Sequence, residues 1–406
     1  MFKFVAMKGF ITGIAALGAL VACTQHNYVM GTYAYDLKLL KDKGIETVEL
    51  TSEDGRSRVL AVPAWQGRVM TSTARGEGGE SFGWINHKFI KEGVRSPQFN
   101  NWGGEERFWL GPEGGANSWY FAPGARQSFS NWKVPAPFDT DTFEVSGLSQ
   151  SSVRFSRDVR LGNARGREFS IGMSRLLNIL DRTDIEEITG QLPKDVDFVG
   201  YRSDNSITNL GSEEWSEQSG MPSVWMLGMI NPSQSTTVFI PYNTEGTGTI
   251  VKDDYFGQMP PGRLSVHDGV VFFKIDGKYR SKIGLNASRT LGLVGAFDPE
   301  QGLLTILKTG IPAADSRFVN SQWGEQEDAF GGDALNSYND GPTEDGTVMG
   351  PFYEIETSSP AAALAPGQTL THSQTTIHIQ GPAKALEDII EKVFAIDPAL
   401  LRSHAF

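Results

Sequence analysis

Residues 46–65 read Glu-Thr-Val-Glu-Leu-Thr-Ser-Glu-Asp-Gly-Arg-Ser-Arg-Val-Leu-Ala-Val-Pro-Ala-Trp. Glu46 to Thr51 alternates, and Ser57 to Trp65 alternates again. Between them Asp54-Gly55 is the dipeptide that a tight hairpin turn favours. A period of two on both sides of such a turn predicts two antiparallel strands. Similar short runs recur at Ser152 to Leu161, Thr236 to Tyr242, Val270 to Ile275, Lys278 to Leu285 and Thr375 to Gln380, with Asp276-Gly277 joining two of them. Residues 167–187 have a composition that suits a helix, but Phe169, Ile171 and Met173 alternate first, so the segment is read as strand.

The flanks have a different period. Tyr33, Leu37 and Leu40 recur at helical spacing, and Gly44 stands where a helix C-cap belongs. Gly381-Pro382 opens a segment with Leu386, Ile389, Ile390, Val393 and Phe394 on one face, an amphipathic helix with proline in its first turn. No internal repeat, coiled coil or linker interrupts residues 45–381. Many short strands separated by Gly, Pro, Asn and Asp turns give an all-β class. The expected architecture is a large antiparallel β-sandwich over residues 45–381, with a tether and short helix at 23–44 and a C-terminal helix at 382–406 packed on the sandwich.

The N-terminus is read as an export signal. Lys3 and Lys8 precede an apolar run from Gly9 to Ala22. That run is short of the roughly 20 residues a membrane-spanning helix needs, but it suits a signal peptide. It ends in Leu20-Val21-Ala22-Cys23, which looks like a lipobox. Residues 1–22 are therefore expected to be removed and Cys23 to carry the lipid. Cys23 is the only cysteine. Its acylation leaves no thiol for a nucleophile, a thiolate metal site or a disulfide. The expected location is the cell envelope, facing the periplasm or the outer surface, held to a membrane through the lipid.

Charge narrows the partners. The chain carries a formal −12 and has no run of five basic residues, which makes nucleic acid and anionic lipid surfaces poor partners. Forty-six glycines, nine tryptophans and 24 phenylalanines suit a turn-rich β domain whose aromatic rings stack on sugars.

Three segments are chemically dense. Asn100 to Gly115 places Glu105, Glu106, Glu113 and Arg107 beside Trp102 and Trp109 in a glycine-rich stretch. Glycine permits close backbone approach, indole rings stack on C–H faces, and carboxylates or arginine bind hydroxyls in pairs. Asn336-Ser337-Tyr338-Asn339-Asp340-Gly341-Pro342, with Asn320, Gln322 and Trp323 before it, is rich in neutral hydrogen-bonding groups and in turn chemistry. In Phe352 to Pro360, a strand would turn Glu354 and Glu356 to the same side, where mutual repulsion raises the pKa of one. Elsewhere the signals are negative. Gly76 to Gly79 lacks a phosphate-loop lysine. The six histidines show no zinc spacing, and no Gly-x-Ser-x-Gly elbow occurs. No metal and no cofactor are expected.

The order of these segments resembles the galactose mutarotase-like superfamily. Gly67-Arg68-Val69 is similar to its early strand with a sugar-binding arginine. Asn101-Trp102-Gly103-Gly104 is similar to its Asn-x-His-Gly-Gly element. Glu356 falls where the family has its catalytic glutamate, and Leu364 to Leu370 resembles the closing turn. More closely, the mature chain looks like an uncharacterised family of exported bacterial lipoproteins, most specifically at Gly67 to Thr73, the Trp102 segment and the Asn336 segment. The resemblance implies a mutarotase-like supersandwich and a carbohydrate site built from Arg68, Trp102, Glu105, Arg107, Trp109, Asp340, Glu354 and Glu356, with Glu356 as general base. It also exposes a departure. Trp102 replaces the substrate-positioning histidine, and the segment near Ser206 to Leu210, which would carry the acid histidine, has none. Asp340 or Glu105 are the substitutes at hand. Loss of a general acid costs roughly 10²–10⁴-fold in rate, so the chain reads first as a lipid-anchored carbohydrate-binding protein. The alternatives are an aldose 1-epimerase-like isomerase and a noncatalytic subunit of a glycan-degradation assembly.

The anchor is tested by Cys23→Ser. Since no other residue can be acylated in this way, the variant is expected to stay unprocessed or to become soluble on cell fractionation. A mature-sized variant still in the membrane fraction would contradict the lipobox reading.

Overall fold

Asp54-Gly55 closes the first hairpin, with Gly55 in the left-handed region (φ +70°). Strand β1 (Val48–Thr51) runs antiparallel to β2 (Arg58–Val62), Val48 opposite Ala61 and Thr51 opposite Arg58. β2 in turn pairs with β3 (Arg68–Thr73). The computed structural model describes residues 28–343, 346–404 and 406. The segment read above as a signal peptide, and Cys23, lie outside them. No described helix is long and apolar enough to cross a membrane.

The three-stranded sheet continues into a second one through a single bridge. Val69 and Glu106 exchange backbone hydrogen bonds of 3.1 Å in each direction, and β4 (Arg107–Gly111) follows at once. β4 borders a five-stranded antiparallel sheet in the order β13 (Ser281–Leu285), β16 (Leu335–Asn339), β17 (Tyr353–Ser358), β9 (Ser223–Ile230), β4.

Against this layer packs a ten-stranded sheet. Its order is β11 (Leu264–His267), β12 (Val270–Lys274), β10 (Thr237–Pro241), β14 (Leu293–Asp298), β15 (Leu303–Thr309), β18 (Thr369–Gln380), β8 (Asp197–Asn209), β7 (Glu168–Ile179), β6 (Ser152–Gly162), β5 (Glu144–Ser146). Alternation sends Val69, Phe108, Leu110 and Met226 inward from one layer and Phe155, Ile171, Val199 and Ile207 from the other, into one core. The all-β sandwich expected from the periodicity is the observed fold.

Helices close the edges and the outer face. α1 (Tyr33–Asp42), capped by Thr32, and α2 (His87–Glu92) bury Tyr33, Leu37, Leu40 and Ile90 around Trp65 and Trp102. α3 (Ala136–Asp139) is a single turn that buries Phe138. Residues 167–187 divide between two structures. β7 takes the alternating part, and α4 (Arg182–Thr189) starts where Asp181 and Asp184 form a reciprocal cap. The strand reading therefore overran by one capped helix.

The C-terminal segment is also two elements. α5 (Ala383–Phe394) ends at Ala395 in the left-handed region, and α6 (Pro398–His404) begins at a proline. α4, α5 and α6 cover the outer face of the ten-stranded sheet, with Phe394 packed edge-on to Phe239. Asp276-Gly277 joins β12 to β13 but passes the chain from one sheet to the other. Asp276 holds Arg263 at 2.7 Å there.

Candidate functional site

β17 turns Glu354 and Glu356 to the outer face of the five-stranded sheet, away from the core, because side chains of a strand repeat every two residues. The register puts Glu356 opposite Asn336 on β16 and Leu227 on β9, and Leu227 opposite Arg107 on β4. One row along, Glu354 faces Tyr338 and Met229, and Tyr338 faces Lys282 on β13. The charges pair diagonally. Glu356 Oε2 accepts from Lys282 Nζ at 2.8 Å and from Trp225 Nε1 at 2.8 Å. Arg107 Nη2 pairs with Glu354 Oε1. Both carboxylates are buried, Glu356 at 1% exposure.

Aromatic rings wall this face. The Lys282 ammonium lies over Trp225 (5.3 Å) and Tyr255 (5.5 Å), and the Arg107 guanidinium over Trp109 (4.9 Å). Trp109 and Trp225 meet edge to face. The Tyr255 hydroxyl is held by Asp333, and Asn336 Nδ2 donates to it at 3.1 Å. Glu113 lies on the loop after β4, near Trp132 and Trp323.

Burial sets the protonation states. It pushes the Glu354 carboxyl up to about 7; Arg107 opposes the rise and the neighbouring Glu356 adds to it. Burial also raises Glu113, with Lys282 opposing. For Lys282 burial works against the charge, but Glu356, Glu113 and Glu354 outweigh it and hold the ammonium above its ordinary range.

The residues expected from sequence divide. Arg107, Trp109, Glu354 and Glu356 come together on this face. Asp340 stands two residues after Tyr338, and its oxygens accept from the Tyr338 hydroxyl (2.6 Å) and the Gly350 N–H (2.9 Å), fixing the return loop rather than presenting a free acid. Arg68 lies beside Arg107 across the β3–β4 bridge. It is 1% exposed and donates to Gly103 O at 2.9 Å, with burial and then Arg107 lowering its pKa to about 9. Its Cδ would lie 2.6 Å from a Cβ at Gly104, whose φ of +122° suits glycine.

Trp102 and Glu105 are corrections. The Trp102 ring stacks on Trp65 at 4.3 Å among the residues packed under α1 and α2, away from the Lys282–Glu356 face. Glu105 and Glu106 both turn inward. A single bridge, not a ladder, joins β3 to β4, and alternation breaks there. Glu105 Oε1 meets Ser72 Oγ (2.8 Å) and His378 Nε2 (3.1 Å), and Glu106 meets Arg175 and Gln374 inside the sandwich.

The sequence left Lys282, Trp225 and Tyr255 unassigned. Lys282 had a trace, as a charge in the strand run Lys278 to Leu285. Trp225 had none, since Ser223 to Ile230 reads as continuous buried strand. Among the described residues no group of three metal-ligating side chains forms. A separate cleft of about 520 Å³ opens beyond Trp84, lined by Asp36, Ser81, His87 and Lys278.

A large two-layer antiparallel sandwich with a polar, tryptophan-walled outer face defines the class of this protein. The chain belongs to the family described as "Family of unknown function (DUF6786)", whose model matches residues 31–403. No curated protein matches it. Among solved structures it is similar to the Slr1438 protein of Synechocystis sp. PCC 6803, at 13% identity and TM-score 0.50, covering 83% of this chain and 96% of that one. It is also similar to a putative aldose 1-epimerase from Escherichia coli K12 (14%, TM-score 0.48, 83% and 100%) and to a galactose mutarotase-like protein from Lactobacillus casei (12%, TM-score 0.45, 82% and 99%). At such identities the likeness is one of fold.

Glu354 gives the site a pH signature. Its pKa is raised on folding, so its stabilising contribution is complete below about 4.5 and is lost as pH rises through about 7. Glu354→Gln, which keeps the neutral shape, escapes that loss. Denaturation across pH should show the variant gaining on the wild type between about 4.5 and 7, by a total on the order of 3 kcal/mol. A difference independent of pH would contradict the assignment.

Proposed function

We propose that this chain is a carbohydrate-binding protein, held to the cell envelope by lipid at Cys23, whose sugar site is the outer face of the five-stranded sheet. The observation that carries the reading is the crossed pair Lys282–Glu356 and Arg107–Glu354 beneath Trp109 and Trp225. Ion-paired carboxylates and cations present fixed acceptors and donors to hydroxyl groups, and indole faces take the apolar side of a pyranose. The segment resemblance to mutarotase-like proteins and the sandwich fold point the same way.

The same geometry argues against ordinary mutarotation. That reaction takes a proton from the anomeric hydroxyl and gives one to the ring oxygen. Glu356 Oε2 is already committed to two donors, Lys282 and Trp225, so that oxygen is not open to a sugar hydroxyl. The four histidines with described side chains stand elsewhere. His372 and His378 are buried inside the sandwich on β18, bonded to Thr357 and to Thr305 and Glu105. His87 pairs with Asp36 at 2.5 Å, and His267 ends β11 at the edge of the other sheet.

Two measurements test this. Proton NMR of freshly dissolved single anomers of glucose and galactose should show exchange at the buffer rate. Calorimetry should show a glycan bound by the wild type and weakened about tenfold or more by Trp225→Ala, the scale of one buried aromatic anchor. Fast exchange abolished by Glu356→Gln would replace the binder with an epimerase using a non-histidine acid. Unchanged affinity in Trp225→Ala would move the sugar off this face.

A further inference from the structure

The chain entering β13 carries a cation at the rim of this face. Arg280 stands two residues before Lys282. Its guanidinium lies over the Phe256 ring at 4.1 Å, and its Nε donates to the Tyr338 hydroxyl at 3.3 Å. Tyr338 is opposite Lys282 on one side and Glu354 on the other, and Phe256 meets it edge-on at 5.9 Å. Arg280 is therefore held beside both ion pairs of the site. The Nε bond is its only hydrogen bond among the described residues, and no carboxylate pairs with it there. Its two terminal nitrogens are left without acceptors.

The acids nearby have other partners. Glu354 has Arg107, Glu356 has Lys282 and Trp225, and Asp333 has the Tyr255 hydroxyl. Asp340 accepts from the Tyr338 hydroxyl at 2.6 Å and the Gly350 N–H at 2.9 Å, and Asp276 holds Arg263 at 2.7 Å. Glu113 follows β4, at the opposite edge of the sheet from β13. Lys252 adds a second cation to the rim. Its ammonium lies over the Tyr255 ring at 4.7 Å and has no ion pair among the described residues. Phe256 is exposed and Arg280 half-buried, so the guanidinium is within reach of solvent. Ring and hydroxyl already restrain the side chain, and little ordering is left to lose when an acceptor arrives.

Resting on the sugar-binding reading above, we propose that the site selects acidic sugars, hexuronates, and that Arg280 is the residue that recognises their carboxylate. The terminal nitrogens of an arginine form a planar fork that matches the two oxygens of a carboxylate. The carboxylate docks on Arg280 at the Phe256 rim, and the ring hydroxyls lie over the Glu356–Lys282 pair. Lys252 adds attraction from the same rim. A hexuronate whose carboxylate is esterified keeps the ring and its hydroxyls but loses the charged contact.

Calorimetry on the detergent-solubilised full chain tests this with glucuronate and galacturonate, their methyl esters, and the neutral parents glucose and galactose, at neutral pH where the uronates are ionised. The uronates are expected to bind at least about tenfold more tightly than the esters and the parents, the scale of one bidentate charge contact. Arg280→Gln should erase that preference and leave binding of the neutral sugars in place. Uronates that bind no more tightly than their esters in the wild type overturn the proposal without any variant. A preference that survives Arg280→Gln in a variant with wild-type circular dichroism overturns the role of Arg280. No binding of any of these sugars sinks the sugar-binding reading and this one together, whereas binding without charge preference sinks this one alone.

Discussion

The two diagonal ion pairs on strand β17 are the constraint around which the outer face is organised. Glu354 and Glu356 are fixed on one side of a central strand by the pleat, and both are buried. Two adjacent buried carboxylates repel unless each is compensated. The edge strands of the sheet supply the compensation, Arg107 from β4 on one flank and Lys282 from β13 on the other. Each cation reaches diagonally across the register. The tryptophans follow from the same arrangement, since a ring face over each cation shields the pair from water and adds attraction. Removing any one of these four charges leaves its partner buried without compensation, so the set behaves as a unit.

A second buried network separates fold from function. Inside the sandwich, Glu105 with His378 and Glu106 with Arg175 join the two layers. Burial lowers the Arg175 pKa against the pull of Glu106, and it raises Glu106. These groups have no exposure to solvent, and they sit beside the single bridge between β3 and β4. They tie the layers where a regular ladder is missing. The adjacent residue Arg107 belongs to the other face. One short segment, Glu105 to Trp109, thus serves the interior with its first two residues and the outer face with Arg107 and Trp109.

That division explains what the sequence could and could not tell. The period of two located eight of the eighteen described strands, and it put Glu354 and Glu356 on one side because that depends on spacing alone. The resemblance did not place Glu105, which turns inward where a single bridge joins β3 to β4, or Trp102, whose stacking partner Trp65 is 37 positions away. Arg107, Trp109 and Glu356 were legible from segment resemblance. Lys282 and Trp225 were not, because their roles depend on the order β13-β16-β17-β9-β4. Nothing local in the sequence gives the neighbours of a central strand. The end of β7 and the break at Ala395 were missed for a nearer reason, a helix cap in one case and a left-handed residue in the other.

A crystal structure with a bound monosaccharide tests most directly whether sugar sits on the Lys282–Glu356 face. The pyranose ring should lie against Trp225 with a hydroxyl within hydrogen-bond distance of Glu356 or Lys282. Sugar seated instead in the cleft beyond Trp84, with the Lys282–Glu356 face unoccupied, would contradict it.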